Sequence, residues 1–352
     1  MRNKLIQYFY ILLLFFVAGM LTGCSDMVQI EDRDFVMGLA LSYDNNEFTA
    51  ILQRPDLQSI TGQGVTDEQE LLVSFTGENL SRIKEAYAKQ SEKRLDFSHL
   101  KVIILDHKIS ESKKGMNEFL RYVEDEYEIS RNTLVFYTAD DEGIINGKIG
   151  DELQSLYQNN PSNADIKKVT VGDMINCLYQ PDKVIILPLI KITKEGISLE
   201  GAGIFQKNLY GARMSEDDLT QWNMLQGKGT KRYISLPEGQ VLKVRQLKTK
   251  YQYSMTDGTP FIQIYMEGEA ELVEEMEDTR KDLKNSLNSF LKSNMERQIN
   301  DMIKVNQLDY LNFYRNMSYR NRKMWTTYKG KQEEFLNEVT VLLDMDIKVE
   351  QH

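Results

Sequence analysis

The chain has 352 residues, 41% hydrophobic and 27% charged, which is a globular composition with room for two or three cores. A formal net charge of -10 excludes a nucleic-acid partner, because a polyanion is repelled at long range. The only cysteines are Cys24 and Cys177, too few for a disulfide framework, so stability must come from packing.

The first two dozen residues read as a secretory leader. Arg2 and Lys4 supply a basic start, 5–19 is an apolar run interrupted by Gln7, and Leu21-Thr22-Gly23-Cys24 follows. The run is shorter than the ~20 residues of a membrane-spanning helix. An ending of Leu-Thr-Gly-Cys resembles a bacterial lipobox, which implies removal of 1–23 and a diacylglyceryl group on the Cys24 thiol. Two acyl chains, at roughly 0.8 kcal/mol per buried CH₂, anchor a protein stably. No later segment offers 18 consecutive apolar residues; the nearest, 184–192, is broken by Pro188 and Lys191. The mature chain is expected to be a water-soluble body tethered at one end.

Residues 25–34 form a polar spacer, followed by strands at 35–43 and 47–54 joined by Asn45-Asn46. The glycine- and hydroxyl-rich stretch 58–69 reads as a loop, and 71–75 as a strand. Leu80, Ile83, Ala86 and Tyr87 recur at helical spacing, as do Met116, Phe119, Leu120 and Val123, with buried strands at 102–105 and 133–137. Residues 144–158 are helix-compatible, and Val171, Met174, Ile175 and Leu178 make a short amphipathic helix closed by Pro181, with Cys177 a small buried residue beside its apolar face. Strands at 184–192 and 197–206 form a hairpin that 209–214 extends. Ser215 and Asp218 resemble a capping box for a helix that buries Leu219, Trp222 and Leu225.

Beyond a glycine joint at 227–229 lie long strands at 231–236, 241–253 and 261–273, the last alternating Ile262, Ile264, Met266 and Ala270 with Gln263, Tyr265, Glu267, Glu269 and Glu271. Residues 277–305 contain no Gly or Pro and place Leu283, Leu287, Phe290, Leu291, Met295, Ile299 and Met302 on one side of a helix of about eight turns. An aromatic-rich helical stretch at 309–328 and an alternating strand at 337–349 complete the chain. The expected fold class is α/β and α+β, with mixed or antiparallel sheets flanked by helices in at least two domains. These are an N-terminal α/β domain over 24–196 and a C-terminal α+β domain over 197–352, with 197–229 as a joint or separate subdomain.

Catalytic and metal signatures are weak. His99 and His107 flank one short strand and, at about 3.3 Å per residue, stand roughly 26 Å apart, too far to share a metal. Ser-x-x-Lys occurs by chance at Ser81/Lys84, Ser110/Lys113 and Ser289/Lys292, without a Lys-Thr-Gly. Gly201-Ala202-Gly203 lacks the third glycine of a dinucleotide fingerprint and fits a bulge or close backbone approach. The acidic run 267–278 lacks the calcium-loop spacing and reads as a solvated strand face leading into a helix N-terminus. Tyr310, Phe313, Tyr314, Tyr319, Trp325 and Tyr328 are the densest aromatic group, either core beneath the sheet or a partner-docking patch.

Several features fall in a recognisable order. The lipobox precedes Gly38-Leu39-Ala40-Leu41, then Arg94-Leu95-Asp96-Phe97-Ser98-His99-Leu100-Lys101-Val102-Ile103-Ile104, Glu128-Ile129-Ser130-Arg131, Leu187-Pro188, Gly201-Ala202-Gly203-Ile204-Phe205, the long helix and the final strand. The whole mature chain resembles the Ger(x)C family of spore germination lipoproteins, the C subunits of nutrient germinant receptors. Asn312-Phe313-Tyr314 departs from the glycine-containing segment that this resemblance leads one to expect after Asp309. The resemblance implies a non-enzymatic protein without a cofactor, held by diacylglycerol on the outer face of the inner spore membrane. It also implies partnership with integral membrane A and B subunits. The alternatives are a ligand-binding lipoprotein that itself captures a small nutrient, and a cell-surface hydrolase for which no residue set can be named.

Overall fold

A computed structural model describes residues 29–55, 71–139, 149–159, 167–180, 182–193, 196–227, 231–273 and 280–350. Cys24, the expected loop at 58–69, Pro181, the centre of the joint at 228–229 and the end of the acidic run at 274–278 lie outside the described residues.

The larger sheet is built from parallel strands flanked by antiparallel hairpins. After a short strand β1 (Arg33–Phe35), β2 (Gly38–Asp44) turns through Asn45 and Asn46 into β3 (Glu47–Gln53), which pairs with β4 (Leu72–Gly77). Both turn asparagines have positive φ, 50° and 66°, the condition for a hairpin whose twist matches its strands. Strand β5 (Arg94–Asp96) pairs with β1 as a separate two-stranded ribbon. The centre of the sheet is β6 (Val102–Leu105) and β7 (Leu134–Thr138), parallel to β2 and to each other. Strands β8 (Val184–Thr193), β9 (Gly196–Gln206) and β10 (Leu209–Met214) then complete the order β10-β9-β8-β7-β6-β2-β3-β4.

Both faces of that centre are covered, which explains why Val102, Ile103, Ile104 and Leu105 are all buried instead of alternating. On one face lie α1 (Leu80–Gln90), α2 (His107–Glu111), α3 (Lys113–Asp125) and α5 (Val171–Leu178), burying Ile83, Tyr87, Phe119, Leu120 and Met174 against Leu39, Ile103 and Val135. On the other, α4 (Ile149–Asn159) brings Leu153 against Ala40, Ile104 and Phe136. Side chains fix several helix starts: Asn79, Asp106, Ser112 and Thr170 each accept a main-chain N–H of the first turn.

The smaller sheet runs β11 (Lys231–Ser235), β12 (Val241–Thr256), β13 (Thr259–Leu272), β14 (Thr340–Glu350). The last strand lies parallel to β13, so the chain must cross over between them. The crossover is α7 (Arg280–Asn300), a π-helical turn (Asp301–Val305), and the short helices α8 (Phe313–Arg320), α9 (Arg322–Tyr328) and α10 (Gln332–Glu338). Leu283, Leu287, Leu291, Met295 and Ile299 of α7 pack on Ile262, Ile264, Leu343 and Ile347. Asn288 of α7 also closes the edge of β14: it donates to the Ile347 carbonyl and accepts from the Ile347 amide, both at 2.9 Å. The opposite face carries ion pairs, including Lys243–Glu271 at 3.0 Å and Arg245–Glu350 at 2.8 Å, as the alternating pattern requires.

Gly196, the expected end of the N-terminal domain, opens β9, and the larger sheet continues through it to Met214. Its last hairpin serves both halves. Ile185, Leu187 and Phe205 belong to the N-terminal core, whereas Val184, Ala202, Ile204 and Met214 join the C-terminal one. At the β9–β10 pairing Gly201 has φ +115°, and an added Cβ would lie 2.1 Å from the Met214 carbonyl oxygen. The close approach expected at Gly201-Ala202-Gly203 is therefore real. Gly201→Ala should lower the urea midpoint sharply by forcing the strands apart, whereas Gly258→Ala, in a turn with open space around it, should cost roughly 1–2 kcal/mol of left-handed strain.

Candidate functional site

The helix α6 (Glu216–Leu225) lies where the two halves meet and begins with the expected capping box, Ser215 and Asp218 satisfying each other's amides. Its indole Trp222 donates to the Tyr310 carbonyl at 3.1 Å. At its other end the hydroxyl of Thr249 donates to the Met224 carbonyl at 2.8 Å, and that of Tyr251 donates to the Leu225 carbonyl. Gln298 of α7 donates to the Asp218 carbonyl at 2.7 Å. The last turn of the helix is thereby tied to β12 and its first turn to α7.

Between α6, α8 and the β8 side of the larger sheet is a cavity of about 300 Å³. Trp222, Tyr310, Leu311, Val184 and Ile186 give it an apolar wall. Its charged groups are Lys167, Lys183 and Asp173 from the N-terminal half and Arg315 from α8, and the amides of Gln226, Asn312 and Asn316 also line it. Arg315 donates to the Gln180 side-chain oxygen at 2.9 Å. Asp173 is committed to the start of α5, its Oδ2 accepting from the Thr170 amide and hydroxyl. Beside the cavity, burial pushes the Cys177 thiol up to about 11 even though Lys183, Arg315 and Lys167 pull it down, so it is a buried, protonated thiol and a poor nucleophile.

Asp309 organises the wall on the C-terminal side. It is fully buried, and its carboxylate accepts from the amides of Phe313 at 2.6 Å and Tyr314 at 2.9 Å, capping α8. Its own amide donates to Gln206 of β9 at 3.1 Å, linking the cap to the larger sheet. Burial pushes its carboxyl up to about 7, against the amides of Tyr314 and Phe313, which favour the ionised form. Asn312 adopts φ 56° and ψ 37°, the left-handed conformation that glycine takes freely and asparagine tolerates best among the rest. At the apparent departure Asn312-Phe313-Tyr314, Asn312 therefore takes a conformation that glycine favours.

The six aromatic residues do not form one surface. Tyr310, Phe313, Tyr314 and Tyr328 are buried, a correction to their reading as a docking patch. They are held inside because Tyr314 donates to the Tyr328 carbonyl at 2.9 Å and accepts from the Gly330 amide at 2.7 Å, while its ring packs on Trp325 and Phe335. Trp325 is half-buried, and Tyr319 is 77% exposed. The cavity itself was missed by sequence reasoning, since its cations are scattered over 167–315 and carry no motif.

The other candidates stay apart. His99 is exposed against the edge of Phe35, ring centroids 4.8 Å apart, and His107 opens α2 beyond the far end of β6. Lys84 of the first Ser-x-x-Lys pair is taken by Glu126 at 2.7 Å, and Ser110 of the second is buried while Lys113 is exposed. Among the described residues no group of three or more His, Cys, Asp or Glu could hold a metal ion. Glu269 and Glu271 of the acidic run are paired with Arg245 across the sheet face.

Comparison with known proteins decides the family. A model of the spore germination protein N-terminal domain matches residues 26–192, and one of the spore germination B3/GerAC-like C-terminal domain matches 200–352. The chain belongs to the GerAC-like family of spore germination proteins. The crystal structure of the GerBC protein is similar over 89% of this chain and 96% of that one, with a TM-score of 0.61 and 17% identity, and shares the fold. No curated protein matches the chain at a significant level. The mixed α/β architecture expected from the sequence is the architecture of this GerAC-like chain.

The buried cap gives a testable pH dependence. The folded carboxyl of Asp309 titrates above its unfolded value near 3.8, so the native state holds the extra proton and stability is lost as pH rises from about 4 to about 7, levelling above. Asp309→Asn should remove that part of the slope in urea unfolding followed from pH 4 to pH 8.

Proposed function

We propose that this GerAC-like protein is a non-catalytic subunit of a spore nutrient germinant receptor. It is tethered by diacylglycerol on Cys24 to the outer face of the inner spore membrane and acts by contacts with integral membrane A and B subunits. The observation that carries this reading is membership of the spore germination family across both halves of the chain, joined to a leader ending in Leu-Thr-Gly-Cys. Among the described residues no helix is long and apolar enough to cross a membrane, which accords with attachment through a lipid. The scattered state of the candidate nucleophiles and histidines supports a role in binding over one in chemistry.

The first strand after the proposed tether, β1, pairs with β5 apart from the larger sheet. With four of the six aromatic residues in the core, Tyr319 and the half-buried Trp325 are what the group can offer a neighbouring subunit.

Cys24→Ala should move the protein from the spore membrane fraction to the soluble fraction, and mass spectrometry of the parent should find an acylated amino-terminal cysteine. Unmodified, freely released parent protein would overturn the tether. Tyr319→Ala should weaken co-purification with two multi-pass membrane proteins while leaving the free energy of urea unfolding within about 0.5 kcal/mol of the parent, as for other exposed sites.

A further inference from the structure

The cavity at the junction has a charge arrangement that the fold does not need. Lys167 and Lys183 approach from the N-terminal half and Arg315 from the C-terminal half, so three cations meet across a boundary where like charges repel. The one carboxylate in the lining, Asp173, already accepts two hydrogen bonds through Oδ2 at the start of its own helix. Asp309 is not part of the lining and is engaged by the Phe313 and Tyr314 amides. The same wall is formed by Leu311 and Asn312 at the amino end of α8. The carboxamides of Gln226, Asn312 and Asn316 add neutral donors, and Trp222 supplies an apolar floor. At about 300 Å³ the space suits a small molecule, not a peptide.

We propose that this cavity binds a small anion bearing a carboxylate or phosphate group, held between Lys167 and Lys183 on one side and Arg315 on the other. Bound there, the anion touches groups from both halves and offsets the repulsion among the three cations, because each half alone supplies only part of the cationic shell. Arg315 is suited to a planar carboxylate or a phosphate, and its hydrogen bond to Gln180 orients the guanidinium toward the N-terminal half. The proposal goes beyond the receptor-subunit reading and does not depend on acylation of Cys24.

Trp222 lies in the cavity wall and serves as the reporter. The full chain in detergent micelles is titrated with inorganic phosphate and, separately, with succinate, each at constant ionic strength balanced by sodium chloride. Saturable change in tryptophan emission with a rise in melting temperature is expected for at least one probe, and the probe that saturates identifies the group recognised. Arg315→Gln and Lys183→Gln should each weaken that binding at least tenfold, and Lys250→Gln, on the exposed face of the smaller sheet, should leave it unchanged. Should Arg315→Gln fail to fold by circular dichroism, Lys183→Gln alone carries the test, since Lys183 is in neither core. The proposal is overturned if neither probe gives a saturable change, if the change follows ionic strength alone, or if it survives in a folded Lys183→Gln variant.

Discussion

One hairpin, β8 with β9, holds this protein in a single arrangement. Alternation along a strand ordinarily buries one face and leaves the other wet. Here Phe205 and Ile185 turn toward the N-terminal core, and Ile204, Ala202 and Val184 turn toward the C-terminal core, so neither face is free. At roughly 1.5–3 kcal/mol for each fully buried large apolar side chain, separating the halves would expose Val184, Ile204 and Met214 and the side chains they cover. Gly211 of the adjoining β10 lets Leu308 approach to where a Cβ would stand at 2.7 Å, which brings the crossover loop against the larger sheet.

That loop is where the polar chemistry of the junction collects. Its buried Asp309 satisfies two amides at the start of α8 and is itself tied to Gln206 of β9 through the main chain. A buried carboxyl is costly unless it is hydrogen-bonded, and removing its partners would leave an uncompensated group in the core. The cap therefore couples the position of α8, and with it Arg315, to the hairpin that both cores share. Tyr314 and Tyr328 extend the same logic inward, their hydroxyls spent on main-chain groups and on Glu338.

For a family of spore germination proteins, this construction has a mechanical consequence. Two cores joined through one shared hairpin and one buried cap move as a unit unless the junction is disturbed. The cavity sits at that junction, bordered by groups from both halves, so it is the place where occupancy would be felt by the whole body.

The sequence by itself determined the secondary elements and much of their packing. A period-3.6 pattern marked α3 and α7, a period-two pattern marked β13 and an unbroken apolar run marked β6, because each buries one face or both and its side chains report that directly. Asn45-Asn46, Ser215 with Asp218, and Gly201 were legible because turn, cap and close-approach geometry restrict which residues can stand there. Only the tertiary structure decided that β8 to β10 close the larger sheet, that β14 runs parallel to β13, and that Tyr310, Phe313, Tyr314 and Tyr328 are core. Those outcomes depend on which apolar face meets which, and composition cannot distinguish an aromatic residue packed inside from one that waits for a partner. The cavity was illegible for the same reason: Lys167, Lys183 and Arg315 become neighbours only when two separately patterned halves share a hairpin.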